Sequence, residues 1–154
     1  MSAVQTNHKN DVGTFMVSSA AIIQNSRTNK ILLLKRSDYS GLETDLWEIP
    51  CGRIAQHEDL VIGLMREVQE ETGITKIEVG SVLNTWHSYR GEKSSENEVI
   101  GVTFYCESTE SEVVLSPEHS TYQWVTPEEA EELIGNSGTK EDVKKYIEYL
   151  RKKV

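Results

Sequence analysis

Apolar positions along this chain follow two rhythms, and their order predicts the architecture. Phe15 to Ile23 and Ile31 to Leu34 are apolar runs, parted by the polar stretch Gln24 to Lys30. They predict two strands joined by a hairpin turn. Ser37 to Asp45, rich in Ser, Asp and Gly, predicts a loop. Trp47-Glu48-Ile49-Pro50 predicts a short extended segment, because proline pushes the preceding residue toward β or polyproline geometry.

From Glu58 to Thr72 the rhythm becomes helical, with Leu60, Val61, Leu64, Met65 and Val68 on one side. Glu58 and Asp59 suit its N-terminus, and Gly73 suits the left-handed position that closes it. Gly63 breaks the pattern at a cost of about 1 kcal/mol relative to Ala, which predicts a close packing contact. Ile77 to His87 and Val99 to Cys106 then predict strands around a polar loop, Arg90 to Asn97. Val113 to Leu115 and Tyr122 to Val125 predict shorter ones. Thr126 and Pro127 predict the cap and first turn of a helix ending near Gly135. A last helix is expected after Gly138, capped by Thr139, with Asp142 at its third position. Val143, Tyr146, Ile147 and Leu150 form its apolar stripe. Strands around one central helix, finished by helices, predict an α/β sandwich with a mixed sheet.

Composition narrows this only in part. A chain of 154 residues, 37% hydrophobic and 27% charged, fits one soluble domain with a core of its own. Residues 1–12 predict a short flexible leader and 13–154 the domain. The net charge of −9 argues against a general nucleic-acid or anionic-membrane binder. It leaves a polyphosphate substrate open, because bound divalent cations reverse the local potential. Cys51 and Cys106 are too few for a disulfide framework and read as small buried hydrophobes in a reducing compartment. Residues 1–12 carry no apolar signal region, and no apolar run approaches the ~20 residues that span a bilayer. A cytoplasmic enzyme is the expectation.

The chemistry concentrates between Gly52 and Ile74, which read Gly-(x)5-Glu-(x)7-Arg-Glu-Val-x-Glu-Glu-x-Gly-Ile. Glu67, Glu70 and Glu71 stand at i, i+3 and i+4 and share one helix face. Three like charges so close repel unless a cation lies among them. Hard oxygen ligands in this cluster suit Mg²⁺ or Mn²⁺ acting on a phosphate substrate. Glu58 lies nine positions before Glu67, so on one straight helix the two would point to opposite sides. Glu58 either lies near the metal cluster, which needs the helix to begin after it, or pairs with Arg66. The pairing is the favoured reading, with Arg66 in turn orienting the ligand glutamates and an ordinary surface cation as its alternative.

That segment resembles the Nudix box at every specified position. Ile31 to Arg36 is similar to the family's preceding strand, Trp47 to Pro50 to its lead-in, and Glu118-His119 with Tyr122 to Val125 to a segment near its C-terminal end. The resemblance implies a Nudix-type α/β/α sandwich with a mixed β-sheet, whose central loop-helix-loop binds divalent cations. It also implies a hydrolase that cleaves a nucleoside diphosphate linked to another group, by attack of water on phosphorus. Glu67, Glu70, Glu71 and Gly52 would then form the metal site. Glu67 and Glu70 would do the catalytic work, with Arg66 in support, and Glu58 and Gly73 would be structural. Gly52 either lets backbone approach the helix or simply makes the turn. Glu118 resembles the distant glutamate that completes the metal site in MutT-like members, with a plain turn residue as the alternative. Cys51 and His57 stand where the family often has glycine.

Substrate contacts are expected from Arg36, Arg53, Tyr89 and Arg90, with Lys35 as a further cation. No proline lies between Ile74 and Ser116, which departs from the ADP-ribose group. Tyr89 loosely resembles the aromatic of dinucleoside polyphosphate hydrolases. The expected substrate is therefore a nucleoside di- or triphosphate or related nucleotide, cut by a MutT-like pyrophosphohydrolase. A nucleotide-sensing or protein-binding module, a dinucleoside polyphosphate hydrolase and an isoprenoid diphosphate isomerase are the alternatives. A homodimer stays open.

Overall fold

The computed structural model describes residues 12–38, 46–135 and 137–154; the expected leader therefore lies almost wholly outside the described residues, as does most of the expected loop 37–45. Strand β1 (Met16–Asn25) turns into β2 (Ile31–Arg36), and the short β3 (Trp47–Glu48) and β4 (Cys51–Arg53) lead into helix α1 (Leu60–Thr72). Then follow β5 (Glu78–Tyr89), β6 (Glu98–Ser108), β7 (His119–Val125), α2 (Pro127–Leu133) and α3 (Ser137–Lys152). The strands form one mixed sheet in the order β3-β2-β1-β6-β5, with β4 on β1 and β7 on β2. Only β1 and β6 run parallel; every other pair is antiparallel.

Apolar runs in β1 and β2 are continuous because both faces of the sheet are covered. Ala21, Ile23, Leu32 and Leu34 face α1, where they meet Leu64, Val68 and Ile74. Their neighbours Ala20, Ile22, Ile31 and Leu33 face α2 and α3, against Ala130, Ile134, Val143 and Tyr146. The result is an α/β/α sandwich. No described helix is long and apolar enough to cross a membrane.

Two expectations fail. Val113 to Leu115 form no strand. Val114 N–H donates to the Thr72 carbonyl at 2.8 Å and Ser116 N–H to that of Glu71 at 3.4 Å. The segment thus satisfies carbonyls that the end of α1 leaves without helical partners, and a short apolar run serves that purpose as well as a strand. Helix α3 starts at Ser137, so Gly138 lies inside its first turn and Thr139 is not its cap. Glycine costs most in a helix interior and marks a start poorly. Thr126, by contrast, caps α2 as expected, in a full capping box with Glu129.

The shift of α3 gives Asp142 a different place. Instead of meeting solvent in the first turn it is 5% exposed, and it accepts a hydrogen bond from Asn84 Nδ2 at 2.9 Å. Burial raises its carboxyl above the usual range, against the lowering effect of bonds from Asn84 and Thr103. A raised folded value means that its contribution to stability is complete below the unfolded value near 3.9 and fades as pH climbs through the folded value. The unfolding free energy of Asp142→Asn should therefore gain on that of the parent as pH rises from about 4 toward neutrality. Urea melts at several pH values measure this; a difference that stays constant with pH would contradict it.

Candidate active site

The site is assembled where β4 passes α1. Asp59 caps the helix, its side chain accepting from Val61 N–H at 2.9 Å and Ile62 N–H at 3.2 Å. Glu58 consequently stays on the loop, the condition under which it could also lie near the acidic face. The loop before it turns at His57, which takes φ 66°, a left-handed conformation that favours glycine. Its side chain is exposed. At the other end Gly73 has φ 73° and donates to the Gln69 carbonyl at 2.9 Å, closing the helix as its place in the sequence predicts.

Arg66 is the hub. Its Nε and Nη2 grip the two oxygens of Glu58 at 2.6 and 2.9 Å, a bidentate pair. Nη1 donates to Glu67 at 2.9 Å and reaches both oxygens of Glu70 at 3.3 Å. Nη2 also donates to the Arg53 carbonyl at 3.0 Å, tying helix to β4. Hydrogen bonds from Arg66 hold the Glu58 carboxyl down at about 2. A surface cation would not be so engaged, and lysine could not reproduce the fork.

Glu67 lies against Gly52, where a Cβ would overlap its carboxyl group. Glycine is required there for space. Gly63 answers the same need elsewhere: a Cβ would come within 2.6 Å of Ile54 Cδ1 and 2.9 Å of Glu58 Oε2. Glu71 is buried and accepts from the Cys51 N–H at 3.1 Å. Glu70 is the open member, its side chain 58% exposed. Burial pushes the Glu71 carboxyl up to about 9, opposed by the Cys51 N–H and reinforced by the charges of Glu48, Glu67 and Glu118. Glu67 is also raised, by burial first, with Glu70 and Glu118 adding to it and Arg66 opposing. Glu118 therefore lies within electrostatic reach of the helix face, although Pro117 and the start of β7 bring it from far along the chain.

Glu48 is the acidic residue that the sequence did not single out. It ends β3, and its charge acts on both Glu71 and the Cys51 thiol. Its only sequence signal is its place in the lead-in Trp-Glu-Ile-Pro. The Cys51 thiol is half-buried and Cys106 fully buried, and burial raises both above the usual thiol range. Of the expected cations, Arg36 pairs through Nε with Glu48 at 2.8 Å. Lys35 lies over the Trp47 ring, 5.7 Å from its centre. Arg53 is exposed in β4, directly after Gly52. Tyr89 and Arg90 stand at the outer end of β5, where Lys93 lies over the Tyr89 ring at 5.8 Å.

Among the described residues no three acidic, His or Cys side chains already converge as a metal cage. The donors nonetheless suit a hard divalent cation. Glu67 and Glu71 are carboxylates whose ionised form burial and like-charged neighbours disfavour, and a cation would reverse that. The Glu67 carboxyl itself takes up the space beside Gly52, so it is the donor set that suits such a group.

Comparison with known proteins identifies the family. The NUDIX domain profile matches residues 14–147. Nucleoside triphosphatase NudI of Escherichia coli is 30% identical over 115 residues, covering 70% of this chain and 79% of that protein. The crystal structure of a MutT protein from Methanosarcina mazei Go1 superposes with a TM-score of 0.75 at 28% identity, covering 92% of this chain and 99% of that one. A Caenorhabditis elegans Ap4A hydrolase shares the fold at 20% identity and a TM-score of 0.73, with 89% and 98% of the two chains covered. Against other curated relatives the chain spans between 20% and 59% of their length.

Proposed function

Because the chain belongs to the NUDIX family, we propose that it is a MutT-like nucleotide pyrophosphohydrolase, cleaving a phosphoanhydride of a nucleoside di- or triphosphate or related nucleotide by attack of water on phosphorus. The observation that carries this reading is the packing of Glu67 and Glu71 against Gly52 and Cys51, with Glu70 open beside them and Arg66 joining Glu58, Glu67 and Glu70. The likeness to a nucleoside triphosphatase and to a MutT protein supports the same class.

Glu67, Glu70, Glu71 and Glu118, with the backbone at Gly52, would hold Mg²⁺ or Mn²⁺. Such a cation, when bound, neutralises phosphate charge and makes water a better nucleophile near neutral pH. The protein's own part is positional. Arg66 fixes the acidic face through its fork, and Gly52 gives Glu67 room. Arg53 is a candidate phosphate contact, because its side chain is exposed one residue beyond Gly52. Arg36 would serve phosphate less directly, since Glu48 already engages it. Tyr89 and Arg90 would meet a substrate long enough to reach the end of β5.

A panel of nucleoside di- and triphosphates, sugar nucleotides and dinucleoside polyphosphates with Mg²⁺, run in ¹⁸O-water, tests this. The expected result is a nucleoside triphosphate converted to monophosphate and pyrophosphate, with the label in one product. No turnover of any compound by folded protein would move the chain to the binding-module alternative.

A further inference from the structure

We propose that His119 is a positioning residue for this site: its imidazole and Arg36 clamp Glu48, and its place in the chain fixes Glu118 beside it, so one buried side chain sets two carboxylates that lie outside the helix. The inference rests on the reading of the site as a divalent-cation site.

Glu48 is held from both sides. Its Oε2 accepts from Arg36 Nε at 2.8 Å, and its Oε1 lies 2.8 Å from His119 Nε2. An ionised carboxylate only accepts, so Nε2 carries the hydrogen of that bond. Strand β3 is two residues long and pairs with Leu34 and Lys35 of β2, so it gives this side chain little support of its own. The imidazole itself cannot wander, since its side chain is 2% exposed. Among the described residues its Nδ1 is buried without a hydrogen-bond partner, an unusual cost for a residue that merely fills space. A leucine of similar volume would fill the same space without it.

The backbone explains how one residue reaches both acids. The pairing of β2 with β7 slips between Lys35 and Arg36: Lys35 faces Thr121, yet Arg36 faces His119. The extra residue re-aims the start of β7, as bulges do. The turn just before it is fastened to the end of β2, with Ser37 N–H donating to the Glu118 carbonyl at 2.9 Å and Ser37 Oγ to that of Pro117 at 2.5 Å. His119 is thus bonded to Glu48 in space and to Glu118 in sequence. Both of those charges act on Glu71, and Glu118 acts on Glu67 as well. Partners that orient ligating carboxylates typically change metal affinity 10–100-fold when removed.

Direct Mn²⁺ binding, measured by calorimetry and by the loss of the free-Mn²⁺ electron-spin signal, tests this without substrate. His119→Leu should weaken binding by about 10-fold or more. His119→Gln, which keeps an N–H able to reach Glu48, should recover most of that loss. Glu48→Gln, a variant of equal size, should weaken binding similarly, and the double variant with His119→Leu should lose no more than His119→Leu alone. The Glu48 variant decides the matter if His119→Leu does not fold. Mn²⁺ binding that is unchanged in His119→Leu or Glu48→Gln, or a Gln variant no better than Leu, overturns the proposal. A parent protein that binds no Mn²⁺ at all overturns both this inference and the reading beneath it. Normal Mn²⁺ binding without nucleotide turnover sinks only the assignment of substrate.

Discussion

Glu70→Gln should lower kcat by on the order of 10²–10³-fold and leave the fold intact. Glu70 is the most exposed of the three helix carboxylates, and both of its oxygens sit at the long distance of 3.3 Å from Arg66 Nη1. Its negative charge is therefore not consumed by a tight ion pair, as that of Glu58 is. Gln has the same size and can still accept from Arg66, so the substitution removes charge and little else. Surface changes of this kind usually alter stability by less than about 0.5 kcal/mol. Loss of one like charge beside Glu67 acts, if anything, in the stabilising direction. The measurement is kcat on the best substrate at saturating Mg²⁺, with a thermal melt of the same sample. Near-normal turnover would remove Glu70 from the site chemistry.

Gly52→Ala should be nearly as damaging to activity, for a steric reason. A Cβ there would overlap the Glu67 carboxyl group, which Arg66 holds from the other side at 2.9 Å. Something has to move. If Glu67 gives way, its carboxylate leaves the acidic face; if β4 gives way, the Cys51 N–H withdraws from Glu71. Misplacement by about 1 Å commonly costs 10²-fold in rate, and forcing a methyl into a packed contact costs about 1–3 kcal/mol. Gly135→Ala is the control, because nothing lies within 4 Å of a Cβ at that position. Equal activity of Gly52→Ala and the parent would show that Glu67 has no required position.

Much of the acidic face could be read from the sequence because helix geometry is local. The i, i+3, i+4 spacing of Glu67, Glu70 and Glu71 fixes their common side once α1 forms, and α1 forms where its period and caps say. The favoured pairing of Glu58 with Arg66 is present as well, although helix arithmetic does not govern it, since α1 begins after Glu58. The close contact at Gly63 was likewise legible, since a glycine inside a helix needs a reason, whereas Gly52 left a turn and a close approach equally open. Boundaries were less so. Val113 to Leu115 failed as a strand because a run of three apolar residues does not say what its backbone pairs with, and the end of α1 accepts from Val114 and Ser116 N–H.

The sequence by itself determined the order of the elements, the helix that carries the acids, and the partner that organises them, because each depends on residues within a few turns of one another. Only the tertiary structure decided which distant groups meet. Glu48 finds His119 across 71 positions, and Asn84 finds Asp142 across 58. Those meetings depend on the bulge that offsets β7 on β2 and on where α3 lies on the sheet. Burial is decided at the same level, since Glu71 and Glu70 are neighbours in sequence yet one is enclosed and the other open. Charge, solvent access and the packing of distant strands set the acidity of those carboxylates together, and no local spacing contains that sum.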